Sequence, residues 1–502
     1  ITGTSNKTSS LRHILAFKEN QNYLQTTLDF LKKIDKKTLV FGNSHSAVEK
    51  LAFYGKQKGI DIGVYRGGLD YKKRKTIENR FKNGEINYLA TTSALELGMD
   101  IGDVDAVILA GYPGTITRVK QRIGRAGRRG QEAIAIFIAK ETPLDQYYID
   151  NPQEYLYGTP ESCYINKDNE EIKKIHIIAA SRDRLIHLND LNRNRFKYLK
   201  NQNFSNELEI KYLNLLEQEG LLKRWSNFYS PTPKGLALLN SLNLRGIGNN
   251  LIIYNIENNR PIGERELHLG INELYEGAIY FHSGEQFISE KLDLKNKKVY
   301  LSPIKNEILE EITYPLKEKN ILITNTLKSG EFNDFPINFG NVHIKNSIYG
   351  YIVKDSYSGL KLGEYKYREP YISEFEGRAF WVDLEKLHNI IDDFSAGLHA
   401  FEHITISMIP GLLGCAQSEI GGFSYPSGEV FIFDSLPSGN GIIEQVYNNF
   451  SEICSMAYNR ISNCKCESGC PKCIFDQMCG NDNRFLNKNS AKSILENILS
   501  VK

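Results

Sequence analysis

The 502-residue sequence has no run of 18 uncharged apolar residues, no internal repeat and no low-complexity tract. The first lack argues against a membrane-spanning helix. No charged-then-apolar leader opens the chain, so a secreted, disulfide-built protein is not expected. The expectation is a cytoplasmic chain with no membrane partner. Neither sign of charge dominates, with 62 Lys+Arg against 60 Asp+Glu and a net +2. Hydrophobic residues at 41% and charged residues at 24% exclude a disordered tail or a collagen-like fibre. The first residue is Ile1 rather than Met, which reads as a fragment or a processed chain. At ~100–200 residues per domain the length implies about three or four domains.

The bland total hides an asymmetry. Residues 1–250 hold 38 basic and 27 acidic side chains, a balance of +11, and residues 251–502 hold 24 and 33, a balance of −9. A basic half suggests a polyanionic partner, although a solvated surface with uneven charge has the same composition.

Residues 1–150 alternate short apolar runs with helical patterns. The runs are Thr38–Phe41, Ile60–Tyr65, Tyr88–Thr92, Ala106–Leu109 and Ala133–Ile138. Helices are predicted over Ser44–Gly55, with Ser44 or Ser46 as cap, and over the basic stretch Lys72–Asn83. Nearly continuous apolar strands between helices indicate an α/β fold with a parallel sheet covered on both faces. Residues 172–245 suggest helices and then a small hairpin, Trp225–Ser230, consistent with a winged-helix unit. Residues 246–385 are strand-rich, and the remainder mixes helix and strand before a cysteine cluster.

The most informative segment is Gln121-Arg122-Ile123-Gly124-Arg125-Ala126-Gly127-Arg128-Arg129-Gly130. Glycine lets backbone approach a ligand closely, and arginine presents a permanently charged planar fork that fits phosphate. Arg125 and Arg128 on one side of such a turn suit stabilisation of a transferring phosphoryl group. A loop that grips nucleic-acid backbone is the competing reading. Upstream stands Ala90-Thr91-Thr92-Ser93-Ala94-Leu95-Glu96-Leu97-Gly98-Met99-Asp100-Ile101-Gly102.

Together these segments resemble the second RecA-like domain of superfamily 2 helicases. Thr38–Leu51 resembles motif IV, Ala90–Gly102 motif V and Gln121–Arg128 motif VI, in that order. The resemblance implies that Arg125 and Arg128 face the γ-phosphate of ATP, with Gln121 nearby. It implies nucleic-acid contacts at Thr91, Thr92 and Ser44, cofactor contacts at Gly98 and Asp100 beside the arginines, and a link from the ATP site to the strand through Asp100. Arg66, Arg74 and Arg118 are weaker candidates. The Gly-Lys-Ser/Thr phosphate loop and the carboxylate pair for Mg are absent from the sequence. A first RecA-like domain is therefore expected in cis upstream or in trans, and this chain alone is expected not to hydrolyse ATP.

Five of the eight cysteines, Cys464, Cys466, Cys470, Cys473 and Cys479, fall within sixteen residues. Four thiolates at such spacing can wrap one zinc ion in a closed structural site, or hold an iron–sulfur cluster. Cys466, Cys470, Cys473 and Cys479 form the expected set, because a one-residue spacer makes Cys464 the awkward partner. Cys163, Cys415 and Cys454 read as small core residues. Separately, His399-Ala400-Phe401-Glu402-His403 spells His-x-x-Glu-His. It is either an inverted zinc-peptidase motif or a packed helix with hydrogen-bonded histidines.

The segments Gly277–Glu285, Leu398–His403 and Phe433–Gly441, followed by the cluster Cys464–Asn481 and Asn487-Lys488, resemble the mitomycin-repair (MrfA) type of helicase. This likeness runs from about residue 11 to 500. It implies a metal-binding carboxy-terminal domain and ATP-driven 3′-to-5′ translocation on single-stranded or forked DNA in repair. Where the family has a glycine pair, this chain has Gly439-Asn440-Gly441. The expected division is a RecA-like domain over 1–160, a winged-helix-like domain over 161–250, a β-rich domain over 251–385 and a four-cysteine α+β domain over 386–502. A non-catalytic DNA-binding adaptor, or a subunit of a split or defence-system helicase, is the alternative.

Overall fold

The computed structural model describes residues 11–17, 22–96, 102–127, 132–166, 169–187, 206–241, 250–305, 309–356, 359–437, 439–476 and 479–500. The chain forms two compact units. One comprises Ile1–Tyr164, Asn249–Ser435 and Ile442–Lys502, and the other Ile165–Gly248 with Leu436–Gly441.

The larger unit begins with a six-stranded, all-parallel sheet. Its order is Leu11–Ala16, Ala133–Ile138, Ala106–Ala110, Thr38–Gly42, Tyr88–Thr91, Ile62–Tyr65. Leu39, Val40 and Phe41 are fully buried, as a strand covered by helices on both faces requires. Each such side chain contributes about 1.5–3 kcal/mol of burial free energy. Ser44 starts the helix His45–Gln57 by accepting from the Ala47 N–H at 3.1 Å. Asp70 does the same for Tyr71–Lys82. The edge strand Leu11–Ala16 carries His13 amid its apolar residues and was not among the predicted strands.

A five-stranded sheet over residues 250–303 follows. It is joined to the first sheet's helices by polar and apolar contacts. Glu49 lies on the helix His45–Gln57 and Arg66 just past the strand Ile62–Tyr65, and both are fully buried. Arg66 Nε meets Glu49 Oε1 at 2.7 Å, and Arg66 Nη2 donates to His282 Nδ1 at 3.0 Å. The Gly284 N–H donates to Glu49 Oε2 at 2.8 Å, and Phe53 meets Phe281 edge to face. Arg66, a weaker phosphate candidate by sequence, is thus committed to a buried ion pair.

Three long antiparallel strands, Glu311–Phe332, Phe335–Asp355 and Lys361–Asp383, continue into Glu429–Asp434 and Ile420–Ser424 as one sheet. This sheet crosses residue 385, where a domain division was expected. Behind it the helix Phe394–Leu413 packs on Phe450–Asn463 and Lys488–Leu499, with Leu398, Phe401, Ile453 and Ile494 fully buried. No helix among the described residues is long and apolar enough to cross a membrane.

The smaller unit holds the helices Glu170–Asp183, Asn206–Gln218 and Pro233–Ser241. Its three-stranded sheet has the order Ile186–His187, Phe228–Pro231, Leu222–Trp225. This is the winged-helix arrangement. Ile178, Leu213, Leu216 and Tyr229 form its core, and Trp225 is exposed at the hairpin.

Removing one member of a buried ion pair leaves the other charge uncompensated. Arg66→Met is expected to destabilise the chain by about 3–5 kcal/mol, read from urea unfolding. A loss below about 1 kcal/mol would contradict the assigned role. Acid acts on the same network. Burial, then the nearby arginines, lower His45 to about 2 and His282 to about 3. The unfolded histidines bind protons near the ordinary value of about 6.5, so the unfolded state holds more protons between about 6.5 and 3. Stability is therefore present above about 6.5 and falls as pH drops through that window, and His282→Gln should flatten the slope measured at pH 7 and pH 5. An unchanged slope would remove His282 from the account.

Candidate arginine site and metal centre

The carboxy ends of the parallel strands share one edge, since Phe41 pairs with both Thr91 and Leu109. Ligands of open parallel sheets bind outside that edge. The helix Ile116–Ile123 starts there, capped by Thr115 Oγ1, which accepts from the Arg118 N–H at 2.8 Å. The Glu161 carboxylate accepts from the Ile116 N–H at 2.5 Å and the Thr117 N–H at 3.2 Å, favourable at a positive helix end.

Glu96 organises the arginines of the next turn. Its carboxylate accepts from Arg122 Nε at 2.9 Å and lies 3.9 Å from Arg118 Nε. Its carbonyl oxygen accepts from Arg125 Nη2 at 2.6 Å and Nε at 3.2 Å. Arg122 also donates to Asn43 Oδ1 at 3.2 Å and stacks over Phe41. Arg122 and Arg125 are both buried. Gly127 takes φ +70 as the turn leaves the helix, a region glycine enters without strain.

Among the other expected residues, Gln121 is half-buried on the helix, Thr91 is fully buried and Thr92 nearly so, and Ser44 is exposed as a helix cap. Arg128, Gly98 and Asp100 lie outside the described residues. Sequence reasoning passed over Glu96, Arg122 and Asn43. All three sit inside the segments it quoted, but only the fold shows that they meet.

The cysteine cluster differs from the expected set. Cys464, Cys466, Cys470 and Cys473 converge, while Cys479 stands apart with His399 and His403. The sulfur separations are 3.6 Å for Cys464–Cys466, 3.5 Å for Cys464–Cys470, 3.5 Å for Cys466–Cys473 and 3.8 Å for Cys470–Cys473. Zinc held tetrahedrally at about 2.3 Å from each sulfur spaces them about 3.8 Å apart, so these thiols fit the ion. Cys464 succeeds for a local reason. It caps the helix Phe450–Asn463 in an extended conformation, and extended backbone sends residues i and i+2 to one face. Its one-residue spacer is thus what aligns it with Cys466.

Two further contacts set the knuckle. Lys488 Nζ, buried, donates to the Cys464 carbonyl at 2.7 Å and the Cys466 carbonyl at 2.5 Å. The Cys470 N–H donates to Cys473 Sγ at 3.3 Å. Burial and then the neighbouring thiols push Cys470 and Cys473 upward. Their protons must leave when a cation binds. Cys415 and Cys454 are buried as expected, whereas Cys163 is exposed.

His399 and His403 lie on the helix Phe394–Leu413. His399 Nε2 is 3.6 Å from Cys479 Sγ, and His403 Nδ1 is 2.8 Å from the Ile474 carbonyl. Burial alone would raise the Cys479 thiol, but hydrogen bonds from His399 and then His403 outweigh it and bring it down to about 6. Burial would lower His403, yet the bond to Cys479 lifts it to about 9.

Comparison with known proteins follows the same division. Residues 19–130 match the family described as "Helicase conserved C-terminal domain", and residues 401–474 match the "MrfA Zn-binding domain". Over 466 residues the chain is 28% identical to the uncharacterized ATP-dependent helicase YprA of Bacillus subtilis (strain 168), covering 89% of this chain and 60% of the relative. It is 24% identical to the ATP-dependent helicase HRQ1 of Saccharomyces cerevisiae (strain ATCC 204508 / S288c), covering 88% of this chain and 42% of the relative. The chain therefore spans roughly half the length of these relatives. The crystal structure of the DUF1998 helicase MrfA bound to DNA superposes with a TM-score of 0.61 and 25% identity, over 97% of this chain and 66% of that one. With the parallel sheet, the arginine turn and the four-cysteine knuckle in the same order, the chain is similar to the MrfA type of superfamily 2 helicases.

Proposed function

We propose that this chain supplies the second RecA-like domain and the metal-binding region of an ATP-dependent DNA helicase that moves 3′ to 5′ on single-stranded or forked DNA in cytoplasmic DNA repair. The observation that carries the reading is the Glu96-centred arginine turn at the carboxy edge of the parallel sheet. Bound ATP and Mg would supply the phosphoryl group and its charge balance. The phosphate loop that cradles them is not in this sequence, so a first RecA-like domain, in cis or in trans, has to bring it.

In this reading Glu96 holds Arg122 as a fixed strut and keeps Arg125 at the edge of the sheet. The Arg125 and Arg128 guanidiniums then stabilise charge on the γ-phosphate, with Gln121 beside them. Gly98 and Asp100 link this edge to Thr91, Thr92 and Ser44, which face the DNA backbone. For Thr91, which is fully buried, the contact requires its loop to open. Zinc is held by Cys464, Cys466, Cys470 and Cys473. It closes the knuckle on Lys488 and serves no chemical step.

Mixed with the phosphate-loop half, the chain should restore DNA-stimulated ATP hydrolysis, and Arg125→Ala should lower kcat by about 10³-fold. No hydrolysis from a folded mixture, or an unaffected Arg125→Ala, would favour a non-catalytic adaptor. Cys470→Ser should remove one zinc equivalent, measured by elemental analysis, and lower Tm. Unchanged zinc content would place the ion elsewhere.

A further inference from the structure

The cluster His399, His403 and Cys479 shares no ligand with the four-cysteine knuckle, although both sit in the carboxy-terminal region. Its three candidate ligand atoms lie within 4.8 Å of one another. The His399 Nε2–Cys479 Sγ distance is 3.6 Å. Zinc bonds of about 2.0–2.1 Å to nitrogen and 2.3 Å to sulfur at a tetrahedral angle set that edge at about 3.6 Å.

Orientation adds a second argument. His403 Nδ1 stands 2.8 Å from the Ile474 carbonyl, and His399 Nδ1 stands 3.3 Å from the Phe485 carbonyl. A carbonyl only accepts, so both Nδ1 atoms carry hydrogen. Each Nε2 faces the Cys479 sulfur, and a dication would take the place of the protons there once they leave. Imidazoles that ligate metals are held in this way, one nitrogen on a carbonyl and the other on the ion.

The loop bearing the cysteine is pinned. Asn483 Oδ1 accepts from the Asp476 N–H at 2.8 Å, and its Nδ2 donates to the Asp476 carbonyl at 2.7 Å. The Lys317 N–H donates to the Gly480 carbonyl at 3.2 Å. Asp482, Asn483 and Phe485 all take positive φ, of 61, 58 and 57. Non-glycine residues held there store strain that the surroundings must sustain, a pattern common at ligand sites. Lys317 and Lys319 lie close enough to interact with Asp476 and Cys479, and Lys319 also with Glu402.

We propose that His399 Nε2, His403 Nε2 and Cys479 Sγ form a second metal site for zinc or a similar borderline dication. It clasps the helix Phe394–Leu413 to the loop 479–487. The Cys479 thiol donates to Asn481 Oδ1 at 2.9 Å until its proton leaves. The ligand set mixes nitrogen and sulfur, which suits zinc and cobalt over magnesium or calcium. The His-x-x-Glu-His motif contributes its histidines, while Glu402 turns away toward Lys319 and Gly422. The inference does not depend on the proposed helicase activity.

The test is metal stoichiometry of the purified full chain, saturated with zinc and then freed of loosely bound ion. The expected result is two equivalents in the wild type, one in Cys479→Ser and one in His403→Gln, with unchanged circular dichroism. Cobalt substitution gives a second readout. The Cys470→Ser variant should still show the ligand-field bands of a tetrahedral site with one thiolate. A single equivalent in the wild type, with a content that Cys479→Ser leaves unchanged, would overturn the proposal and leave a metal-free thiolate–imidazolium pair. That measurement needs no variant to fold, because the wild-type count alone decides between one ion and two.

Discussion

The larger unit depends on one buried ion pair. Glu49 and Arg66 come from a helix and a strand end of the parallel sheet, and each is shielded from water by the neighbouring five-stranded sheet. Burying a carboxylate and a guanidinium is costly unless the remaining hydrogen-bond capacity is met. Here the Gly284 N–H completes Glu49, and His282 with the Gly67 carbonyl completes Arg66. His282 and Gly284, one partner for each charge, come from the second sheet, so the pair is fully satisfied only while the two sheets are packed. That makes it a register device as much as a source of stability. His45, between Arg66 and Arg265 at 3.4 and 3.2 Å, has to stay neutral for the same reason.

Glu96 does for the arginine turn what Glu49 does for the sheet packing. One acidic residue presents its carboxylate to Arg122 and its backbone carbonyl to Arg125. A charged side chain and a peptide dipole therefore hold two guanidiniums that would otherwise repel. The two bonds differ in kind. Arg122 is fixed by charge and by the Phe41 ring. Arg125 donates to the Glu96 carbonyl, a neutral acceptor, and bonds to an ionised acceptor are roughly twice as strong.

What the sequence made legible follows the range of the interaction. Local signals read well. The continuous apolar runs gave the parallel strands, Ser44 marked a helix start, and the wing emerged between Leu222 and Pro231. Long-range pairings did not. Arg66 read only as a weaker site candidate, because its partners lie 17 and 216 residues away. The strands Glu311–Phe332 and Lys361–Asp383 were seen only in part, since much of each is exposed and carries charged residues instead of a strict alternation. The cysteine assignment failed on geometry at short range. Counting residues between thiols treats the chain as a flexible tether, whereas Cys464 leaves its helix extended and so shares a face with Cys466.

The four-cysteine knuckle sits inside a hydrophobic core. Cys473 and Ile474 are fully buried in the same cluster as Leu398, Phe401 and Ile461. Main-chain polar groups enter that cluster with them, and Lys488 satisfies two of the carbonyls. Four thiols alone repel ionisation and make only weak hydrogen bonds, so they cannot fix the turn. A dication converts them into four directional bonds at a cost only in released protons. Arg460 then carries the order outward. It donates to the Lys472 carbonyl at 2.9 Å and pairs with Asp150 at 2.5 Å, on the last helical turn of Pro143–Asp150. Through that arginine the geometry of the knuckle is tied to the helix that follows the parallel sheet.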